Sequence, residues 1–507
     1  MSAVRTTVGD RMNPIFLQAM RQSLRGKVFN ILSFLSLMLA LAFSLIYIIS
    51  VTRVEEAVPS GPTYFLWIYG ALSVAVHLFV PFIAYLSLGN EWDENTYDLL
   101  VLSNLKPRGI VMGKFLSAML LTGLWFCAFL PFLVFSFLLP GTDLPTILLI
   151  LAMTVLSSGF LTSLALFLSA VARGRLIRTL LMAVLAAALC GAVAGTIGLA
   201  VGCIYNPSDL WSDIGQQLVW GLATALIVTG LFFFMFACTR LTHDEENRST
   251  GLRVVATLIL IAGLWWLASI YRVSGSRPEP LVAIATFGIL LVGLFAMLFV
   301  MEENRLGRRV ELEVPKNALL APLASPWLPG GGRGVIWFIL NVALVIGGVV
   351  IIATIWPPTS PLFMGFSATS GSGLEDARPF WALALIYSWL YLGVPALLFR
   401  RWSRELVFRV AARASVFLFI FVALLGPALF YFLMDQSRGD DAFEHLGNPF
   451  WMAAMLNDWD GQRSRVIGMM IPAGLAAGFL MALHAPGMIR GVTEVMRASK
   501  ARRSSQA

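Results

Sequence analysis

The sequence predicts an all-α, polytopic integral membrane protein of about twelve transmembrane helices, and three observations carry that reading. Hydrophobic residues make up 58% of the chain and charged residues only 13%, with a mean hydropathy of +0.81, whereas a soluble globular chain carries roughly 25% charged residues. The apolar residues gather into runs long enough to cross a hydrocarbon core of about 30 Å as helices. None of these runs alternates with the period of two that a barrel strand needs.

Read in order, the runs are 28–51, 64–88, 115–139, 144–171, 176–203, 217–238, 254–271, 281–301, 335–356, 380–399, 414–434 and 466–485. A charged leader precedes the first, and no small-residue cleavage site follows it, so no removable signal peptide is expected. Pro81, Pro131, Pro395, Pro427 and Pro472 fall within runs and should kink or locally open them. Gly191, Gly195, Gly198 and Gly202 recur at small-residue spacing in the fifth run, the pattern of helix packing, within the chain or between subunits. Cys127, Cys190, Cys203 and Cys238 show no metal or redox spacing and read as packing residues.

Charge sets the orientation. With a cytoplasmic N-terminus the basic residues divide 29 inside to 7 outside, while the 28 acidic residues divide evenly. This places both termini in the cytoplasm of a multi-pass cell-membrane protein by the positive-inside rule. In that setting a net charge of +8 implies no nucleic-acid partner. Trp211, Trp220, Trp337, Trp356, Trp381 and Trp402 sit near run ends, where an indole can bury its ring and keep its N–H wet.

The runs divide into two sets of six at segment 239–253, giving domains 1–240 and 241–507. Each half places its longer cytoplasmic loop after its second run, opened by Glu91, Asp93 and Glu94 in one half and by Glu302 and Glu303 in the other. Asn206-Pro207 and Asn448-Pro449 each precede a last run. The second half is either a degenerate duplicate or an accessory bundle. In loop 302–334, Pro315, Pro322, Pro326, Pro329 and Gly330-Gly331-Gly332 should break a helix repeatedly.

Catalytic motifs are missing. Gly26-Lys27 and Gly113-Lys114 lack the rest of a phosphate-binding loop, and no zinc-protease, nucleophile-elbow or dinucleotide motif occurs. The chain therefore reads as neither an enzyme nor a holder of metal or cofactor. Deep in the runs the one ionisable side chain is His77, more readily a hydrogen-bonded helix partner than a proton relay.

Loop 90–109 carries the most information. Glu91, Asp93 and Glu94 lead, Thr96, Leu99, Leu100 and Leu102 follow, and Lys106-Pro107-Arg108 closes the segment. Acids first and bases last suit a helix dipole, and the leucines present an apolar face to a partner or to headgroups. The pattern through Ile110, Gly113 and Lys114, with Pro131 in the next run, resembles the permease subunits of type 2 ATP-binding-cassette transporters. The leader from Asn13 to Arg25 and Asn206-Pro207 resemble the same family, over residues 12–240.

The resemblance implies a membrane subunit for ATP-driven export. It also implies a coupling helix, with Glu91, Asp93, Glu94, Thr96, Leu99, Leu100, Pro107 and Arg108 docking a separate cytoplasmic ATPase that binds the ATP. A homo- or hetero-dimeric permease assembly, in contact with membrane lipids, follows from it too. The alternatives are a non-transport scaffold whose tail, Arg497 to Arg503, binds anionic lipid, and a secondary carrier, which the lack of buried charge disfavours.

The orientation is testable by cysteine labelling in a background lacking the four native cysteines. Cysteines at Ser103 and Ser403 should react only from the cytoplasmic side, and those at Ser60 and Ser437 only from outside. Reaction of position 103 from outside would invert the topology.

Overall fold

The computed structural model describes residues 27–53, 60–93, 106–356 with short breaks at 173, 243–245, 276–277, 304–305 and 318, 378–400 and 462–504, and three positions near the N-terminus. Among the described residues the chain is helical, with no strand. Nine helices among the described residues are long and apolar enough to cross a membrane, and two shorter apolar helices accompany them at Ala285–Val300 and Trp381–Leu397. This is the architecture of an all-α, multi-pass membrane protein. The candidate run 414–434 lies outside the described residues, as does nearly all of the leader 13–25. The chain falls into two compact units, Met1–Thr242 and His243–Ala507.

Unit 1 contains α1 (Lys27–Arg53), α2, α3 (Pro107–Leu138), α4 (Leu144–Val171), α5 (Arg175–Tyr205), the short α6 (Pro207–Trp211) and α7 (Asp213–Leu241). The central helix α2 has three parts: Gly61–Ser73, a π-helical turn Val74–Phe79, and Val80–Asp93. Pro81 accounts for the π-turn. It has no N–H to give the carbonyl of His77, and its ring crowds that carbonyl, so the preceding turn widens. Tyr64, Phe65, Ile68, Leu72, Val76 and Val80 of α2 are all buried, and α1, α3, α4 and α5 pack around it.

Polar side chains in the unit-1 spans point inward, because hydrocarbon offers no hydrogen bonds. On α4, Ser158 meets Thr122 of α3 at 3.0 Å, and Ser169 donates to the carbonyl of Tyr85 at 2.8 Å. Asp143 caps α4, accepting from the Thr146 hydroxyl at 2.6 Å. The most extensive packing joins α4 to α7. There Gly230 lets the helices close until a Cβ would lie 3.4 Å from the Phe160 Cα, and Phe167, Phe232, Phe233 and Phe236 fill the flanks, three of their contacts edge to face and the Phe167–Phe233 contact tilted.

Unit 2 contains α8 (Thr250–Val273), α9 (Pro278–Val300), the short α10 (Arg308–Glu311) and α11 (Leu320–Ala324), then α12 (Gly331–Ile355), α13 (Arg378–Arg400) and α14 (Gln462–Ser504). Two guanidinium groups organise it. Arg253, fully buried in the first turn of α8, donates to the carbonyls of Pro326, Leu328 and Gly330 at 2.7–3.1 Å and to Glu302 at 2.7 Å. Arg333, 1% exposed, donates to the carbonyls of Pro329 and Gly491 and reaches Glu494 of α14 at 3.4 Å. Together they pin loop 301–330 and α14 to the ends of α8 and α12.

Three sequence expectations change here. The glycine run after Pro329 does not end a helix but begins α12. Gly330 sits at φ +137°, which a side chain rarely allows, and a Cβ at Gly331, Gly332 or Gly334 would overlap the carbonyl oxygens of Val300, Gly487 or Phe299. Trp337 is not an interfacial tryptophan with a wet N–H. It is fully buried, and its indole N–H lies 3.1 Å from the Thr257 hydroxyl. The last span does not stop at 485, since α14 continues through Pro486 to Ser504, held by Ser499 and Arg502 donating to the carbonyls of Lys316 and Val314.

The two units repeat a packing order. In unit 1, α2 packs on α1, α3 and α4, and α7 packs on α3 and α4. In unit 2, α9 packs on α8, α12 and α13, and α14 packs on α12 and α13. The third and fourth spans pack together extensively in unit 1 and not in unit 2.

A contrast between glycines tests the α12–α14 contact. Gly332→Ala should destabilise detergent-solubilised protein by about 1–3 kcal/mol through overpacking against Gly487. Gly347→Ala, where a Cβ meets nothing within 4 Å, should be neutral or mildly stabilising. Equal melting temperatures for the two variants would contradict the packing.

Candidate functional site

Two features of unit 1 stand out, one at an end of the spans and one inside them. At the end, α2 runs to Asp93 and α3 begins at Pro107, so segment 94–105 is tethered at both sides. Lys106 is extended (φ −66°, ψ 141°), as a residue before proline must be, and Pro107 occupies the first helical turn, where its missing N–H costs nothing. Two turns on, Lys114 is buried. Its Nζ lies 2.7 Å from Glu91 Oε1 and 2.8 Å from the carbonyl oxygen of Ser87. The ion pair therefore staples the foot of α2 to the foot of α3, directly beneath the loop.

The residues expected in the loop fall out as follows. Glu91 turns inward onto Lys114, Pro107 is half-buried and Arg108 is exposed. Asp93 ends α2, and its side chain lies outside the described residues together with Glu94, Thr96, Leu99 and Leu100. In the sequence Gly113-Lys114 stood out as a failed phosphate loop and as part of the permease-like pattern, and neither reading pairs Lys114 with Glu91. The signal was there, because a lysine at the edge of an apolar span needs an anion within reach.

Inside the spans, the π-turn of α2 presents His77, fully buried, to two neighbouring helices. Its Nδ1 lies 2.9 Å from Ser73 Oγ, which lies 2.9 Å from Thr196 Oγ1 of α5, and its Nε2 lies 2.6 Å from Ser157 Oγ of α4. With the proton assigned to Nδ1, the groups form one unbroken donor chain. Ser157 donates to His77, His77 to Ser73, Ser73 to Thr196, and Thr196 to the Val193 carbonyl at 3.0 Å. Close by, Tyr69 and Thr154 share a buried hydroxyl pair at 3.0 Å.

This network borders a cavity of about 670 Å³ between α4, α5 and α7. Tyr69, Thr154, Ser157 and Thr196 contribute its hydroxyls, leucines dominate the rest of the lining, and Asn206 and Asp209 stand at one end. Three of the four glycines singled out in the fifth run, Gly195, Gly198 and Gly202, form part of the α5 wall. A Cβ on any of the four would meet nothing within 4 Å, so the close helix approach expected of that spacing is not made within the unit. Of the cysteines only Cys238 is buried; Cys203 lines the cavity, and Cys127 and Cys190 are exposed.

Among the described residues no cluster of His, Cys, Asp and Glu could hold a metal ion. Fold and site together define a multi-pass α-helical membrane protein with a stapled loop at the end of its second and third spans and an apolar cavity within the bundle. No protein-family model, no curated protein and no solved structure matches the chain.

The staple is open to a double-mutant cycle. Lys114→Met removes the cation that faces the partly buried Glu91 carboxylate and should cost on the order of 2 kcal/mol in detergent unfolding. Adding Glu91→Leu should recover most of the loss. Strictly additive effects would show that the pair has no energetic weight.

Proposed function

We propose that the chain is the membrane subunit of an ATP-driven transporter of the type 2 ATP-binding-cassette kind. It works in export, and a separate cytoplasmic ATPase drives it through loop 90–109. The observation that carries this reading is the Glu91–Lys114 pair. A loop whose two ends are tied together at the feet of adjacent spans delivers a push or pull to both spans at once. The load passes into α2, whose π-turn at Val74–Phe79 is a point where a helix can change register. On this reading both termini and loop 90–109 lie on the cytoplasmic side.

The shared packing order supports treating units 1 and 2 as two permease halves fused in one chain. The glycine-initiated α12 and the arginine-pinned loop 301–330 stand in unit 2 where α3 and loop 90–109 stand in unit 1. Loop 301–330 breaks into α10, α11 and a 3₁₀ turn at Ser325–Trp327 instead of one helix. This makes the unit-1 loop the stronger docking element.

Two measurements test the proposal. Purified chain alone should hydrolyse no ATP, and turnover free of contaminating ATPase would overturn the division of labour. Affinity purification from native membranes should recover an ATPase bearing a phosphate-binding loop. Its yield should fall by about 1–3 kcal/mol of binding energy on Glu94→Lys or Leu99→Asp, while Glu303→Lys should leave it unchanged. Full recovery with both unit-1 variants normally inserted would overturn the docking assignment.

A further inference from the structure

We infer that the unit-1 cavity is a binding site for a membrane amphiphile, its acyl chain lying between α4, α5 and α7 and an amine-bearing head group lying at Asn206 and Asp209. The inference rests on the fold of unit 1 and not on docking of an ATPase.

The three walls are all helices long and apolar enough to span a membrane, so along its length the cavity runs through the hydrocarbon layer. At about 670 Å³ the cavity belongs to the size class of roughly 300–1,000 Å³ that encloses a whole small ligand. Left empty, a space of that size would forfeit the dispersion contacts of its entire lining. Water has little reason to fill it, because apolar side chains, chiefly leucine, dominate the walls and the hydroxyls already have partners, Tyr69 with Thr154, Ser157 with His77, and Thr196 with Ser73 and the Val193 carbonyl. In a bilayer the remaining filler is an acyl chain.

The α5 wall makes the room. Small residues at this spacing usually bring two helix backbones together in lipid. Here the space beside Gly195, Gly198 and Gly202 stays open, with no atom of the chain within 4 Å of a Cβ at any of them.

The ends of the cavity differ. Asn206 and Asp209 stand where α5 gives way to α6, the short helix that also carries Trp211, a residue type that marks the headgroup level. Asp209 is the one charged residue in the lining, and no lysine or arginine joins it. A head group with an amine is attracted to that rim and an anionic head is repelled. The polar rim, apolar shaft and open wall together match an aminophospholipid in outline.

The test uses full-length protein in phosphatidylcholine nanodiscs. These are doped with phosphatidylethanolamine carrying a diazirine at the end of one acyl chain, and in parallel with phosphatidylglycerol carrying the same chain. After irradiation, peptide mapping should find saturable adducts on 149–157 and 195–203, suppressed by excess unlabelled phosphatidylethanolamine. Adducts on the lipid-exposed face of α1 at 31–49 should not saturate. Phosphatidylethanolamine should exceed phosphatidylglycerol by roughly fivefold, and Asp209→Lys should erase or reverse that ratio.

Gly198→Leu should fill the shaft and remove the saturable adducts. Gly191→Leu, on the same helix but outside the lining, should leave them intact. The competition arm on unaltered protein keeps the test valid should Gly198→Leu fold poorly. Labelling at 149–157 that neither saturates nor exceeds that of α1 would overturn the site. Equal labelling by the two lipids would overturn the head-group assignment. Efficient disulfide formation between two chains carrying a single cysteine at position 198 would assign the cavity to a second copy of the chain and overturn the lipid reading.

Discussion

Hydrocarbon supplies no hydrogen bonds, and every polar group that enters it must bring its own partner. That constraint shapes each unit from the inside. Backbone groups satisfy themselves as helices. Hydroxyls on α4 turn toward α2 and α3 instead of the lipid. Cations at the helix ends find acids or carbonyls before the span begins, as Lys114 does with Glu91, Arg253 with Glu302 and Arg333 with Glu494. These pairs earn their place less through net stability than by fixing where a helix foot stands, since removing one partner strands the other.

The two units solve the same problem with different residues. In unit 1 a single lysine joins the feet of the second and third spans. In unit 2 Arg253 and Arg333 gather four loop carbonyls, two glutamates and the C-terminal helix into one knot, sealed by Trp337 and the Phe299 ring. The difference follows from loop chemistry. A loop rich in proline and glycine forms little helix of its own, so its carbonyls are left without internal partners and side-chain donors must hold them. The loop of unit 1 carries acids, leucines and a terminal proline, which asks only for clamps at its ends.

Proline and glycine act at particular positions and not as general breakers. Pro81 widens one turn of α2 and so places His77 between α4 and α5, while Pro131, Pro395, Pro472 and Pro486 sit inside continuous helices. Gly331, Gly332 and Gly334 admit neighbouring backbones to the start of α12, whereas Gly195, Gly198 and Gly202 admit none and leave a cavity. Identical residues thus have opposite consequences, decided by what the opposing helix brings.

The sequence by itself determined the membrane class, the helical character and the approximate place of most of the described apolar helices, because length and hydropathy are local properties that lipid enforces helix by helix. It also marked loop 90–109 and His77, whose polarity is conspicuous against apolar surroundings. Tertiary structure alone decided that Glu91 and Lys114 are partners, that Arg253 and Arg333 hold a loop with only short helical turns of its own, that Trp337 is sealed inside, and that the α5 glycines face empty space. Each of these depends on which side chains from distant segments converge, and neither hydropathy nor spacing along one helix records what stands across from it.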